Sequence, residues 1–166
     1  MPPRFTAIRG AQGFQQSNPS VLATVSLLGA LQVLSAAGGI RAVRARSERL
    51  TGHLFALLRQ SRFYAAPGDA FDAGRTTLGV TVITPEDARE RGAQLSLVFL
   101  PTGRGVMPRV LQGLEARGVV GDSRKPDVIR LAPVALYNTF EDVERAVRVL
   151  EEVLEEVEKE GLPVQA

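Results

Sequence analysis

The sequence predicts an α/β protein of the α+β kind: a small antiparallel or mixed sheet with long helices on one side. Three observations carry this reading. Two long helical periods open the chain, short β-rich runs occupy its middle, and a strongly amphipathic acidic helix closes it.

The elements follow in order. Met1 to Gln16 is irregular, broken by Pro2, Pro3, Gly10 and Gly13. Ser17-Asn18-Pro19 reads as a helix start, a polar cap followed by proline. From Gln12 to Ile40 there is no charged residue, and Val21 to Ala37 is apolar on most faces. That segment is barely long enough to span a bilayer and carries Thr24, Ser26, Gly29, Gln32 and Ser35. A helix buried in protein, at a subunit interface for example, is the expectation. A second helix is expected over Ile40 to Arg62. Val43, Leu50, Leu54, Leu57 and Leu58 keep helical spacing, and Arg41, Arg44, Arg46, Glu48 and Arg49 form its wet face. His53, the single histidine, sits there as an edge-packed or exposed side chain. Ala65 to Gly74 reads as a loop.

The period then changes. Leu78–Ile83 and Gln94–Phe99 read as strands, with Pro85 to Gly92 a charged connector or short helix between them. Met107–Arg117 is helical and stops at Gly118. Val119-Val120 opens a short extended segment, Asp122 to Asp127 is a turn, and Val128–Leu131 is a strand. Asn138-Thr139 caps a last helix, Phe140–Glu160. Glu141 and Asp142 lie in its first turn, and Val143, Val147, Leu150, Leu154 and Val157 form its packed stripe.

Composition narrows the function classes. Apolar residues make up 45% of the 166 and mean hydropathy is +0.03, which fits a chain able to bury a core. The absence of cysteine excludes disulfides, thiolate zinc sites and cysteine nucleophiles, and one histidine cannot build a histidine-rich metal site. Residues 1–140 hold 17 Lys and Arg against 9 Asp and Glu, while residues 141–166 hold 3 against 9. The arginines are scattered without aromatic interleaving, so a solvated surface is expected and neither nucleic acid nor a membrane is an expected partner. With no leader-like start, a cytoplasmic, soluble location is the default. The phosphate-loop, nucleophile-elbow, zinc-helix and dinucleotide motifs are absent, Gly103-Arg104-Gly105 is too short to cradle a phosphate, and Glu86 with Glu90 is a pair by spacing only.

The strongest local signal is Val128-Ile129-Arg130-Leu131-Ala132-Pro133, one arginine inside an apolar strand. Arg130 must point to one face of that strand. A partly buried guanidinium needs an anion. Spacing leaves two readings open: an internal salt bridge to a helix carboxylate, or a fork that grips a substrate carboxylate.

Four runs, in order, carry a family resemblance: Gly13-Phe14-Gln15-Gln16-Ser17-Asn18-Pro19-Ser20-Val21-Leu22, Arg91-Gly92-Ala93-Gln94-Leu95-Ser96-Leu97, Arg117-Gly118-Val119-Val120-Gly121-Asp122-Ser123-Arg124-Lys125-Pro126, and Ile129-Arg130-Leu131-Ala132-Pro133-Val134-Ala135-Leu136-Tyr137-Asn138-Thr139-Phe140. Together they resemble the C-terminal part of kynureninases, from about Phe5 to Leu154, with Ala135 departing from the family's usual proline. The Ser17-Asn18-Pro19 and Leu136-Tyr137-Asn138 runs favour kynureninase over class V aminotransferases, which share the small-domain architecture.

The resemblance implies the C-terminal domain of the type I pyridoxal-phosphate fold, a homodimer, and hydrolysis of L-kynurenine or 3-hydroxykynurenine to L-alanine and anthranilate or 3-hydroxyanthranilate. Pyridoxal 5'-phosphate serves as the electron sink, and water attacks the γ-carbonyl before the carbon–carbon bond breaks. By motif, Arg130 matches the arginine that holds the substrate α-carboxylate. Asn18 matches an asparagine near cofactor and substrate, across the dimer interface; a simple helix cap is the other reading of Asn18. The chain has only two lysines, Lys125 and Lys159, and neither resembles the family's Schiff-base lysine. The expectation is therefore one C-terminal small domain over 1–166, without the large cofactor-binding domain and inactive alone. It comprises an interface segment at 1–19, two long helices over 20–62 and a sheet-and-helix unit over 78–160. A subunit of a split enzyme and a non-catalytic binding module are the alternatives.

Overall fold

A computed structural model describes residues 6–71 and 76–162. Its helices are α1 (Val21–Ala36), α2 (Gly39–Gln60), α3 (Pro67–Ala70), α4 (Val106–Ala116) and α5 (Phe140–Glu160). Its strands are β1 (Gly79–Val82), β2 (Leu95–Leu100), β3 (Asp122–Arg124) and β4 (Val128–Leu131). Two compact units divide between Ile40 and Arg41.

The first unit holds a 3-10 turn, Ala11–Phe14, and α1. Ser20 caps α1: its hydroxyl accepts from the Ala23 N–H at 3.4 Å, and its carbonyl accepts from the Thr24 hydroxyl at 3.0 Å. The cap thus falls beyond Pro19, and the reading of Ser17-Asn18 as the helix start is corrected. No residue of α1 is buried; Leu22 is 81% exposed and Leu31 52%. Among the described residues, no single helix is long and apolar enough to cross a membrane.

In the second unit, the four strands form an antiparallel sheet in the order β1-β2-β4-β3. Strands β1 and β2 are almost wholly buried, whereas β4 alternates between buried and half-buried residues. Leu95, Leu97 and Phe99 of β2 alternate onto one face with Ile129 and Leu131 of β4. There they meet Leu50, Leu54 and Leu58 of α2, Val110 and Leu114 of α4, and the stripe of α5. Most of these are under 3% exposed, and each leucine-sized side chain so placed contributes about 1.5–3 kcal/mol relative to an exposed one. Val98 and Leu100 point the other way, onto Ala65 and Ala70. The outer edge of β1 is paired by the chain just before it: Val80 N–H donates to the Phe63 carbonyl and accepts at its own carbonyl from Ala65 N–H, both at 2.9 Å.

The structure corrects three further expectations. Asp122 to Arg124 is a strand, so the turn shrinks to Lys125–Asp127. Residues 67–70 of the expected 65–74 loop form the single turn of α3, and 72–74 lie outside the described residues. Ala70 of α3 packs on the second sheet face, so the helices do not all lie on one side.

Helix α5 runs over Phe140–Glu160 as its period requires. Thr139 and Asp142 form a reciprocal capping box: the Thr139 hydroxyl accepts from Asp142 N–H at 3.1 Å, and the Asp142 carboxylate accepts from Thr139 N–H at 2.8 Å. The carboxylates on its outer face are largely paired. Arg62 reaches Glu158 at 2.9 Å, Arg117 reaches Glu156 at 2.6 Å, and Arg109 pairs with Glu160. These pairs are largely exposed, so solvent screens them and they add little to stability.

Glycines act at two positions here. Gly118 takes φ +73, the left-handed geometry that ends α4. A Cβ at Gly113 would lie 2.6 Å from Val153 Cγ1, so Gly113 sets how closely α4 approaches α5. Gly113→Ala is expected to lower stability by about 1–3 kcal/mol, and Val153→Ala on that background to recover part of the loss, read by urea denaturation. The Thr139 N–H, with Asn138 and the Thr139 hydroxyl, holds the Asp142 carboxyl below its ordinary value. A depressed folded-state pKa stabilises at neutral pH, and that contribution disappears as pH falls through the folded value. Asp142→Asn is therefore expected to lower the urea midpoint at pH 7 and to flatten its fall between about pH 5 and pH 2.

Candidate functional site

The pleat of β4 decides where its arginine goes. Ile129 and Leu131 enter the core, so Arg130 and Val128 must take the opposite face. Cross-strand register then supplies the neighbours: Ser96 of β2 stands opposite Arg130 on one side and Asp122 of β3 on the other. Arg124 of β3 stands opposite Val128. Helix α3 and its approach cover the β1 end of this face, while the β3 end is open: Asp122 and Arg124 are exposed and Ser96 and Arg130 half-buried.

Arg130 Nη2 donates to Asp122 Oδ2, and Asp122 Oδ1 accepts from Arg124 Nη1 at 2.6 Å. One carboxylate thus serves two guanidiniums. The counter-ion of Arg130 in this structure comes from a neighbouring strand, not from the helix carboxylate that one of the two open readings named. It does not exhaust the arginine: the buried Nε of Arg130 has no partner, and its side chain keeps 30% exposure. The Ser96 hydroxyl accepts from Gln94 Nε2 at 3.2 Å, and Ser96 N–H donates to Thr84 Oγ1 at 2.8 Å, so β2 is held firmly beside Arg130.

The chain leaving β4 is a stiff turn. Asn138 Oδ1 accepts from Val134 N–H at 2.8 Å, and the Val134 carbonyl accepts from Asn138 N–H at 2.9 Å. Arg46 of α2 donates to the Asn138 carbonyl at 3.0 Å. His53 of α2 lies 3.2 Å from Glu144 and edge-on to the Phe140 ring. The turn presents Leu136 and Tyr137, which is 71% exposed. A cleft of about 180 Å3 opens beside the turn, lined by Val120, Pro133, Asn138, Asp142 and Arg145 among others. Its polar groups are spent on the chain itself, Arg145 on the Arg117 carbonyl and Asn138 and Asp142 on the turn and cap, and Arg130 does not line it.

Arg130 lies in the second unit and Asn18 in the first, in an exposed stretch before α1. Because Ser20 holds the cap, capping does not account for Asn18. Pyridoxal phosphate requires an amine in an enclosed site. Lys125 sits in the β3–β4 turn and Lys159 in the last turn of α5, both exposed. By themselves, the residues of this chain do not fit that cofactor. Sequence reasoning did not single out Asp122, Arg124 and Ser96, because Asp122-Ser123-Arg124 has no apolar alternation to mark it as a strand paired with β4.

The fold and site define an α+β domain whose sheet turns an incompletely satisfied arginine toward an open face. The family comparison makes this specific. The kynureninase C-terminal domain family matches residues 43–150, and the chain belongs to that family. It is 48% identical over 160 residues to a kynureninase of Cryptococcus neoformans var. neoformans serotype D, covering 96% of this chain and 34% of that protein. It is 46% identical over 161 residues to one of Eremothecium gossypii (95% and 35%), and 45% identical over 156 residues to one of Saccharomyces cerevisiae (92% and 34%). The chain spans about a third of the length of the curated relatives it matches.

In the turn after Arg130, the Asn138 side chain is what pairs the Val134 N–H. Asn138→Ala is expected to leave the part-buried Val134 N–H unpaired and cost about 1–2 kcal/mol, with amide exchange rising first over residues 133–139.

Proposed function

We propose that this chain is the substrate-gripping part of a kynureninase. Joined to a cofactor-bearing part, it hydrolyses L-kynurenine or 3-hydroxykynurenine to L-alanine and anthranilate or 3-hydroxyanthranilate, in tryptophan breakdown in the cytoplasm. The observation that carries this reading is Arg130, half-exposed on the open sheet face of a chain of that family. Its guanidinium suits a substrate α-carboxylate, gripped by parallel hydrogen bonds. Asn18, free of a capping duty, suits a polar contact to cofactor or substrate from a neighbouring subunit. Pyridoxal phosphate, when bound, supplies the electron sink for the cleavage; this chain's share is to fix the carboxylate and orient the amino acid.

Helix α1 supports a partnered assembly over a free-standing module. Its surface is uncharged and apolar, and none of it is buried, a state that calls for a covering partner. A homodimer or a separate large-domain chain supplies that cover in this proposal.

The test is an assay of the purified chain with pyridoxal phosphate and 3-hydroxykynurenine, alone and then with a kynureninase large domain. The expected result is no internal-aldimine absorbance and no alanine release alone, activity on mixing, and loss of that activity in Arg130→Ala. Turnover by the chain alone overturns the division of labour. Silence on mixing, with both chains folded and associated, overturns the proposed function.

A further inference from the structure

Resting on the reading of Arg130 as a carboxylate receiver, we propose that Arg124 and Asp122 form a relay that positions Arg130 for its ligand. The relay is built by register. Asp122 stands directly across from Arg130 in the β3–β4 hairpin, and Arg124 is the next residue of β3 on the same face. Each oxygen of the Asp122 carboxylate has its own guanidinium: Oδ1 receives Arg124 Nη1 at 2.6 Å, and Oδ2 receives Arg130 Nη2.

Two physical consequences follow. An arginine on a half-open sheet face has a long flexible stem, and a carboxylate that holds one Nη fixes the guanidinium plane before any ligand arrives. The charges also count. A lone Asp122 would neutralise Arg130 and leave an incoming anion little to meet. With Arg124 the cluster holds two positive charges and one negative, a surplus of one that matches a monocarboxylate. Asp122 spends only part of the Arg130 donor set, and Nε is still without a partner. Asp122 is a positioning residue: it acts through Arg130. The bland alternative is that Asp122 merely staples β3 to β4.

The experiment uses the full 166-residue chain, labelled with nitrogen-15, with acetate titrated against chloride at constant ionic strength. The guanidinium signals of Arg130 are identified by their loss in Arg130→Lys. In the wild type, hindered rotation should give separate Nη1 and Nη2 signals, and acetate should shift them saturably. In Asp122→Asn the two signals should merge and acetate affinity should fall about fivefold, the scale of immobilising one long side chain on binding, although the variant gains one unit of positive charge. Asp122→Glu should restore most of both, and Arg124→Gln should weaken acetate binding by a smaller factor. Thermal unfolding of each variant measures the staple separately.

Unchanged acetate affinity and separate Nη signals in a folded Asp122→Asn variant overturn the relay and leave a staple. Tighter acetate binding overturns it too, because Asp122 would then be a competitor. If acetate leaves the wild-type Arg130 signals unmoved, the carboxylate reading of Arg130 fails; the Nη signals still decide whether Asp122 fixes the guanidinium.

Discussion

The pairing of β2 with β4 is the constraint on which the rest of the second unit depends. It sets Leu97 against Ile129 and Ser96 against Arg130. With both hydrophobic partners at zero exposure, the register cannot slip by one residue without sending Arg130 into the core and Ile129 into solvent. The price of burying an unpaired guanidinium among leucines is several kcal/mol, so the apolar core and the polar face specify one another. Helices α2, α4 and α5 act on one side of this arrangement, yet they determine what the other side presents.

Around that sheet, arginines recur as fasteners between elements distant in sequence. Arg46 holds the turn after β4, Arg44 reaches the Ala88 carbonyl, Arg145 of α5 reaches the Arg117 carbonyl, and Arg117, Arg62 and Arg109 pair with Glu156, Glu158 and Glu160 toward the end of α5. The charge imbalance between the body of the chain and its last 26 residues is thus drawn on locally. Arg130 differs from them in facing an open sheet surface with a donor unspent.

Much of this was legible from residue order. Helix α5 was fully legible because Thr139 and Asp142 mark its start chemically and an unbroken three-four stripe carries it to Glu160. β1, β2 and β4 stood out as β-rich apolar runs between polar breakers. β3 was illegible: Asp122-Ser123-Arg124 has no apolar alternation, and only pairing with β4 makes it a strand. The partner of Arg130 was hidden for the same reason, since a carboxylate read as part of a turn is not looked for across a ladder. The cap of α1 was misplaced by three residues because Ser17, Asn18 and Ser20 are all competent caps, and backbone geometry around Pro19 chooses between them. Arg130 itself was legible as a site, because a cation inside an apolar strand contradicts its surroundings.

Helix α1 carries a different kind of information. An amphipathic helix lies down on a flat surface with its azimuth fixed, because turning it about its axis would expose its stripe. α1 has no stripe: Val21, Leu22, Val25, Leu27, Leu28, Leu31 and Val33 are distributed around the barrel of the helix. Rotating it changes little in the apolar area a flat neighbour could cover, so no single surface can hold it in one orientation. Only a socket that encloses it, with knobs and hollows matched to Gly29 and the small residues beside it, can give this helix a unique angle.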